Sequence, residues 1–135
     1  MPVTKGVKKL IEEAMAQIET MSTAEAIAAH GGDDVVFVDL RDVRELEREG
    51  MIPGAFHAPR GMLEFWVDPD SPYHKDIFSE PGKTFVLYCQ SAWRSVLATK
   101  TLNDMGMKNV KQFENGFSGW KEAGGPVAER PKKSG

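Results

Sequence analysis

Apolar positions change their period several times along this chain. From residue 5 to about residue 19 they recur at helical spacing: Val7, Ile11, Ala14, Ile18 and, just beyond, Met21. That stripe predicts an amphipathic helix. Ser22-Thr23-Ala24-Glu25 has the form of a capping box and predicts a short helix over 23–29, closed by His30-Gly31-Gly32. The periodicity then gives way to Val35-Val36-Phe37-Val38, a continuous run of the kind found in strands covered on both faces, with Asp39 at its end. DVRELERE, 42–49, reads as a short charged helix, and Gly50 to Gly54 as a turn. A short strand over 55–58 is stopped by Pro59. Residues 60–82 carry weaker signals: GMLEFW is compatible with a helical turn, while DPDSPYH and SEPGK read as loops. Thr84 to Tyr88 is the second long apolar run. Residues 94–105 place apolar side chains at 98, 102 and 105 and predict a helix ended by Gly106. Val110 to Phe113 predicts a third strand, and 116–123 a last short helix stopped by Gly124-Gly125-Pro126.

Strands therefore alternate with helices, which predicts an α/β fold with a parallel sheet and helices on its faces. Ligands in such sheets bind beyond the carboxyl ends of the strands. The expected organisation is an N-terminal amphipathic helix over 1–20, one domain over 21–128, and a frayed tail over 129–135. The N-terminal stripe can pack on its own domain or join two copies into a homodimer. Two heptads are too few to define a coiled coil.

Composition narrows the function classes. With 135 residues and 41% hydrophobic side chains, the chain can build one sizeable core. A net charge of −3 without a long basic run disfavours nucleic acid and anionic membranes as partners. No apolar run reaches the ~18–20 residues of a membrane helix, and the charged N-terminal segment lacks a signal-peptide core. A single cysteine excludes an internal disulfide. These features lead to the expectation of a cytoplasmic protein in a reducing compartment.

That cysteine, Cys89, ends the apolar run FVLY and opens a short connection to the helix beginning near Arg94. A tight strand-to-helix loop can turn backbone N–H groups inward. The helix it opens adds unpartnered amides and the positive end of its dipole. The result is an anion cradle that favours the thiolate, the nucleophilic form. The loop side chains Gln90, Ser91, Ala92 and Trp93 are uncharged, so the backbone and Arg94 carry the stabilisation. Phosphoryl transfer and sulfur transfer both suit such a site. Four residues between Cys89 and Arg94 form the tighter ring, which suits a single terminal sulfur better than a phosphoryl group with three equatorial oxygens.

Three segments in order resemble the rhodanese family of single-domain sulfurtransferases: VVFVDLRDVRELEREGMIPGAFHAP, TFVLYCQSAWRS and KNVKQFENGFSGWKEAGGPV. The resemblance spans residues 20 to 128. It implies a five-stranded parallel sheet with helices on both faces. It also implies that Cys89 is catalytic and takes sulfane sulfur from thiosulfate or a persulfide donor. Amides from Gln90 to Arg94 would hold the persulfide, and a thiol or protein acceptor would remove it, with no cofactor. Phosphatases and arsenate reductases of the same fold carry loops one residue longer; they are the enzymatic alternative. A binding module that keeps the fold without the chemistry is the non-enzymatic one. Two residues depart from the family pattern: Ala92 replaces a customary glycine, and Trp93 a smaller or polar residue. With no second cation beside Arg94, thiosulfate is expected to be a weaker donor than a persulfide.

Among other residues, Asp39 and Arg44 are candidate loop supports, Asp39 by meeting Arg94. Arg41 and Arg44 also have the plainer reading of solvated helix charges. Arg60 is a candidate pocket residue. His30, His57 and His74 have no companions at metal-ligand spacing, so no metal is expected.

Overall fold

The computed structural model describes residues 2–132. Its elements, in chain order, are α1 (Val7–Met15), β1 (Thr20–Met21), α2 (Thr23–Ala29), β2 (Val35–Asp39), α3 (Val43–Glu49), β3 (Phe56–His57), α4 (Leu63–Val67), β4 (Thr84–Tyr88), α5 (Trp93–Asp104), β5 (Val110–Phe113) and α6 (Gly116–Glu122). Short 3-10 turns occupy Arg60–Met62 and Asp76–Ser79. The five strands form one parallel sheet in the order β1-β5-β4-β2-β3. This is the rhodanese-like architecture that the resemblance implied.

The central strands β2 and β4 are buried on both faces, and their alternating side chains separate two cores. Val38, Leu40, Phe85 and Leu87 face one side, where Leu63 and Val67 of α4 and Ala98 and Leu102 of α5 cover them. Phe37, Val86 and Tyr88 face the other, against Ala26 of α2 and Phe117 and Trp120 of α6. The second core is an aromatic cluster: Trp120 lies 5.5 Å from Phe37 and 5.7 Å from Phe113, ring centroid to centroid.

The capping box at Ser22 forms as expected: Ser22 Oγ accepts from Glu25 N–H, and Glu25 accepts from Ser22 N–H at 2.8 Å. The first helix is shorter than its stripe. It ends at Met15 because the sheet takes the following residues: the Glu19 carbonyl accepts from Gln112 N–H, and Thr20 and Met21 pair with β5. Of the stripe, Ala14 is buried and Val7 is exposed, and the helix packs on α5 of its own chain. At the other end Ala128 pairs with Met51 through two 2.8 Å backbone bonds. Residues 129–132 have no regular structure, and the remainder of the expected tail lies outside the described residues.

The strand order creates the site. After β3 the chain crosses back over β2 to start β4, so successive connections leave β2 and β4 in opposite directions. The carboxyl ends of those two neighbours diverge into a crevice, the usual ligand position in open parallel sheets. Asp39 ends β2, and Cys89 follows β4.

Candidate active site

Cys89 is buried at 1% exposure, at the base of the connection from β4 to α5. Two amides at the start of α6 fix the first residues of that loop. Phe117 N–H donates to the Cys89 carbonyl at 2.8 Å, and Ser118 N–H donates to the Gln90 carbonyl at 3.1 Å. Gly116 permits this approach. It has φ +56°, and a Cβ there would stand 2.6 Å from the Cys89 carbonyl oxygen and 2.7 Å from Gln90 backbone atoms.

A peptide unit carries its C=O and the next N–H on opposite sides when it is trans, and no cis bond occurs among the described residues. With the Cys89 and Gln90 carbonyls turned toward α6, the amides of Gln90 and Ser91 point the other way. Among the described residues, the amides of Gln90, Ser91 and Ala92 have no protein acceptor. The first amides of α5 lack intrahelical partners as well. Ala92 caps α5 in the left-handed region, with φ 80° and ψ −7°. The position therefore does require the conformation that glycine adopts most readily.

Around the sulfur, the Cys89 Sγ–Ser95 Oγ distance is 3.7 Å. Ser95 is itself buried, within reach of the Ala92 carbonyl at 3.1 Å and Gln112 Oε1 at 2.9 Å. Its hydroxyl is positioned to donate to a thiolate. Arg94 projects to the rim and forms a bidentate pair with Glu45 of α3, at 2.7 and 2.9 Å. Glu45 also accepts from Asp42 N–H, completing a capping box on α3. The Arg94 fork holds the Glu45 carboxyl below the usual carboxylate range, against the upward effect of burial. Glu45 raises Arg94 in turn, and a charged Cys89 acts in the same direction.

The expected contact between Asp39 and Arg94 is not made. Asp39 pairs with Arg41, two residues on and on the same side of the extended chain: Arg41 Nε donates to Oδ1 at 3.0 Å and Nη2 to Oδ2 at 2.7 Å. Both side chains are fully buried. Arg41 is thus not a solvated helix charge. Its Nη1 donates to Gln90 Oε1 at 2.9 Å, its Nη2 to the Gly50 carbonyl at 2.8 Å, and its guanidinium lies 4.4 Å from the Phe117 ring centroid. Burial alone would lower the Arg41 pKa, but the bonds and charge of Asp39 outweigh it and raise the value. The same surroundings, burial first and Asp39 second, push the Tyr88 phenol up.

The loop support expected of Arg44 falls to Arg41 instead. Arg44 lies on the outer face of α3, with its side chain 80% exposed and paired to Asp42 at 3.0 Å. Arg60 pairs with Glu64 at 2.7 Å and, among the described residues, makes no hydrogen bond to residues 89–94. Trp93 is half exposed on the rim and Ser91 is exposed. A cavity of about 580 Å³ opens beside Ser91, between α2 and α6, lined by Thr23, Glu114, Ser118 and Glu122. Cys89 does not line it.

Sequence reasoning missed Arg41, Glu45, Ser95, Gln112 and Gly116. One signal was available: Asp42-Val43-Arg44-Glu45 is a readable capping box that places Glu45 at the start of α3.

The family described as Rhodanese-like domain matches residues 22–123. An uncharacterized protein of Synechocystis sp. is 34% identical over 97 residues, 72% of this chain; the aligned region covers 49% of that relative. A putative sulfurtransferase of Bacillus subtilis, YtwF, is 31% identical over 77% of this chain and 88% of its own. A dual specificity phosphatase Cdc25 of Arabidopsis thaliana is 29% identical over 89% of this chain and 87% of its own. Among solved structures, a Rhodopseudomonas palustris protein of unknown function, described as a possible tyrosine phosphatase, superimposes with a TM-score of 0.91. It is 55% identical, and the match covers 94% of this chain and 97% of that one. The chain belongs to the rhodanese-like domain family.

Proposed function

We propose that the protein is a sulfurtransferase or sulfur carrier working through a persulfide on Cys89. In the first half-reaction, the Cys89 thiolate attacks the outer sulfur of a donor R–S–SH. A new S–S bond forms, the donor S–S bond breaks, and RS⁻ departs with its electron pair, leaving Cys89–S–SH. In the second, an acceptor thiolate attacks the outer sulfur and carries it off as R′–S–SH, regenerating the Cys89 thiolate. No net oxidant or reductant is needed.

The observation that carries this reading is the size and wiring of the loop. Four residues separate Cys89 from Arg94. The Cys89 and Gln90 carbonyls are tied back to α6, and the amides of Gln90, Ser91 and Ala92 have no acceptor among the described residues. A ring this small suits one terminal sulfur better than a phosphoryl group. The charge balance favours a persulfide over thiosulfate as donor. Arg94, the single cation of the loop, is already paired with Glu45, which leaves little net positive charge to attract a dianion. The phosphatase reading keeps one specific support, the similarity to the Arabidopsis dual specificity phosphatase and to the Rhodopseudomonas possible tyrosine phosphatase.

Intact-mass spectrometry after incubation with a low-molecular-weight persulfide tests the proposal. The expected result is a gain of about 32 mass units, one sulfur atom, on Cys89. The gain disappears in Cys89→Ser and on treatment with a thiol acceptor. Hydrolysis of an aryl phosphate without any mass gain would replace this reading with the phosphatase one. Neither signal from the folded protein would leave a binding module.

A further inference from the structure

Gln112 is an anomaly in the sheet. It lies on β5 with 1% exposure, one residue before Phe113 and two after Val110, both buried. A buried amide is unfavourable unless its groups are bonded. Here both ends are used: Nε2 donates to Thr20 Oγ1 at 2.9 Å, and Oε1 accepts from Ser95 Oγ at 2.9 Å. Ser95 Oγ in turn lies 3.7 Å from Cys89 Sγ. The four side chains form a polar file leading from the reactive sulfur through the sheet to β1.

Each link in that file can reverse. A hydroxyl both donates and accepts, and the two ends of a glutamine amide exchange by a half-turn of the side chain. With Cys89 neutral, S–H donates to Ser95 Oγ, Ser95 donates to Gln112 Oε1, and Gln112 Nε2 donates to Thr20. With Cys89 ionised, Thr20 O–H donates to Gln112 Oε1, Gln112 Nε2–H donates to Ser95 Oγ, and Ser95 O–H donates to the sulfur. Every buried polar atom keeps a partner in both senses, and the only proton lost is the thiol's own, released to solvent.

We infer that Gln112 is a positioning residue for Cys89: through its reversible amide it lets Ser95 donate to the thiolate while the buried file stays satisfied. The inference concerns ionisation of the sulfur and holds whichever group the sulfur accepts. Other charged groups around Cys89 come from three elements: Arg94 on α5, Glu45 on α3 paired to it, and the buried Arg41–Asp39 pair at the end of β2 that reaches the loop through Gln90. Tyr88 precedes Cys89 on β4, and His57 of β3 donates to the Arg41 carbonyl. None of these is altered by a change at residue 112.

The test is the pH dependence of Cys89 alkylation by iodoacetamide in the full chain, for the parent, Gln112→Leu, Ser95→Ala and the double variant. Leucine is close to glutamine in volume and suits the sheet interior, and circular dichroism melts check that each variant folds. Gln112→Leu is expected to raise the alkylation midpoint by about one pH unit, the size of one hydrogen bond's preference for the charged form. The limiting rate at high pH should be unchanged. Ser95→Ala should raise the midpoint by at least as much, and Gln112→Leu added to it should raise it no further, because the amide acts only through that hydroxyl. An unchanged midpoint in Gln112→Leu overturns the inference. So does a shift that persists in full on the Ser95→Ala background, which would mark a general change of packing. Persulfide loading is not needed for any of these readouts, so their failure is separable from failure of the proposed sulfur transfer.

Discussion

The connection from β4 to α5 has two halves of opposite character. The floor, Cys89 and Gln90, is held from several directions: two α6 amides on its carbonyls, Arg41 on the Gln90 side-chain oxygen, and Ser118 Oγ, which accepts from Gln90 Nε2 at 3.0 Å. The rim, Ser91 to Arg94, has an exposed serine, a left-handed alanine, a half-exposed tryptophan and one ion pair. The floor belongs to the folding core and fixes the sulfur. The rim is held by fewer bonds and forms the more exposed edge of the site.

The strongest challenge to that division is Arg41→Leu. It leaves Asp39 fully buried without its partner, strips the floor of its anchor on Gln90, and removes the bond to the Gly50 carbonyl at the end of α3. Removing one member of a buried pair costs roughly 3–5 kcal/mol. Urea denaturation should show a loss of that order, large beside the ~5–15 kcal/mol total of a typical domain. Replacing Asp39 by leucine as well should recover much of the stability, because apolar residues substitute well for a buried pair. Alkylation of Cys89 should remain abnormal, because the Gln90 anchor is still missing. If restored stability brought back parental alkylation, Arg41 would serve the core alone and the floor would not depend on it.

The rim is tested through Glu45. Its carboxyl is held low by Arg94, so the pair's stabilisation is fully present above the unfolded carboxylate pKa of about 4.3. It fades as pH falls through the lower folded value. The pair is partly exposed, so its contribution to stability is on the order of 1 kcal/mol or less. Glu45→Gln should therefore lower stability slightly at neutral pH and remove this fading in acid. Its larger effect should be chemical. With Arg94 released from its carboxylate, kcat/KM for thiosulfate should rise by about tenfold, the equivalent of one charge-assisted interaction, and that for a neutral persulfide should change less. Equal changes for both donors would show that Glu45 orients the loop without screening its charge.

The two halves also differed in how far the amino-acid sequence revealed them. Runs such as Val35 to Val38 and Thr84 to Tyr88 announced central strands because burial on both faces leaves no polar alternation. Strand β1 has only two residues and is recruited by backbone bonds to β5, which leaves no side-chain signature, whereas β3, equally short, was legible just ahead of Pro59. Cys89 and its loop were legible because strand, thiol, arginine and helix follow one another in the chain. The braces were not. Gln90 meets Arg41 and Arg94 meets Glu45 across separations of 49 residues, and Gln112 reaches Thr20 across 92. Spacing along the chain carries no information about such pairs. The expected contact between Asp39 and Arg94 failed in the opposite way: Asp39 pairs with Arg41, the cation nearest in sequence, while Arg94 turns to Glu45 of α3.

The smallest expected effect is the most specific to the rim. Ala92 holds φ 80° at the start of α5, a region that costs an L-residue about 1–2 kcal/mol. Ala92→Gly relieves that strain, while glycine loses an additional ~0.4–1 kcal/mol of chain entropy on folding. The net expectation is a gain of roughly 0.5–1 kcal/mol, visible as a rise in Tm of a few degrees. The floor bonds from Phe117 and Ser118 do not involve residue 92, so the alkylation midpoint of Cys89 should stay where it is. A stabilised variant with altered alkylation would mean that strain at Ala92 is transmitted to the sulfur, and the boundary between floor and rim would have to move one residue toward Cys89. A destabilised variant would mean that the methyl group of Ala92 contributes packing that outweighs its strain. The rim would then be a packed part of the domain, and its opposition to the floor would fail.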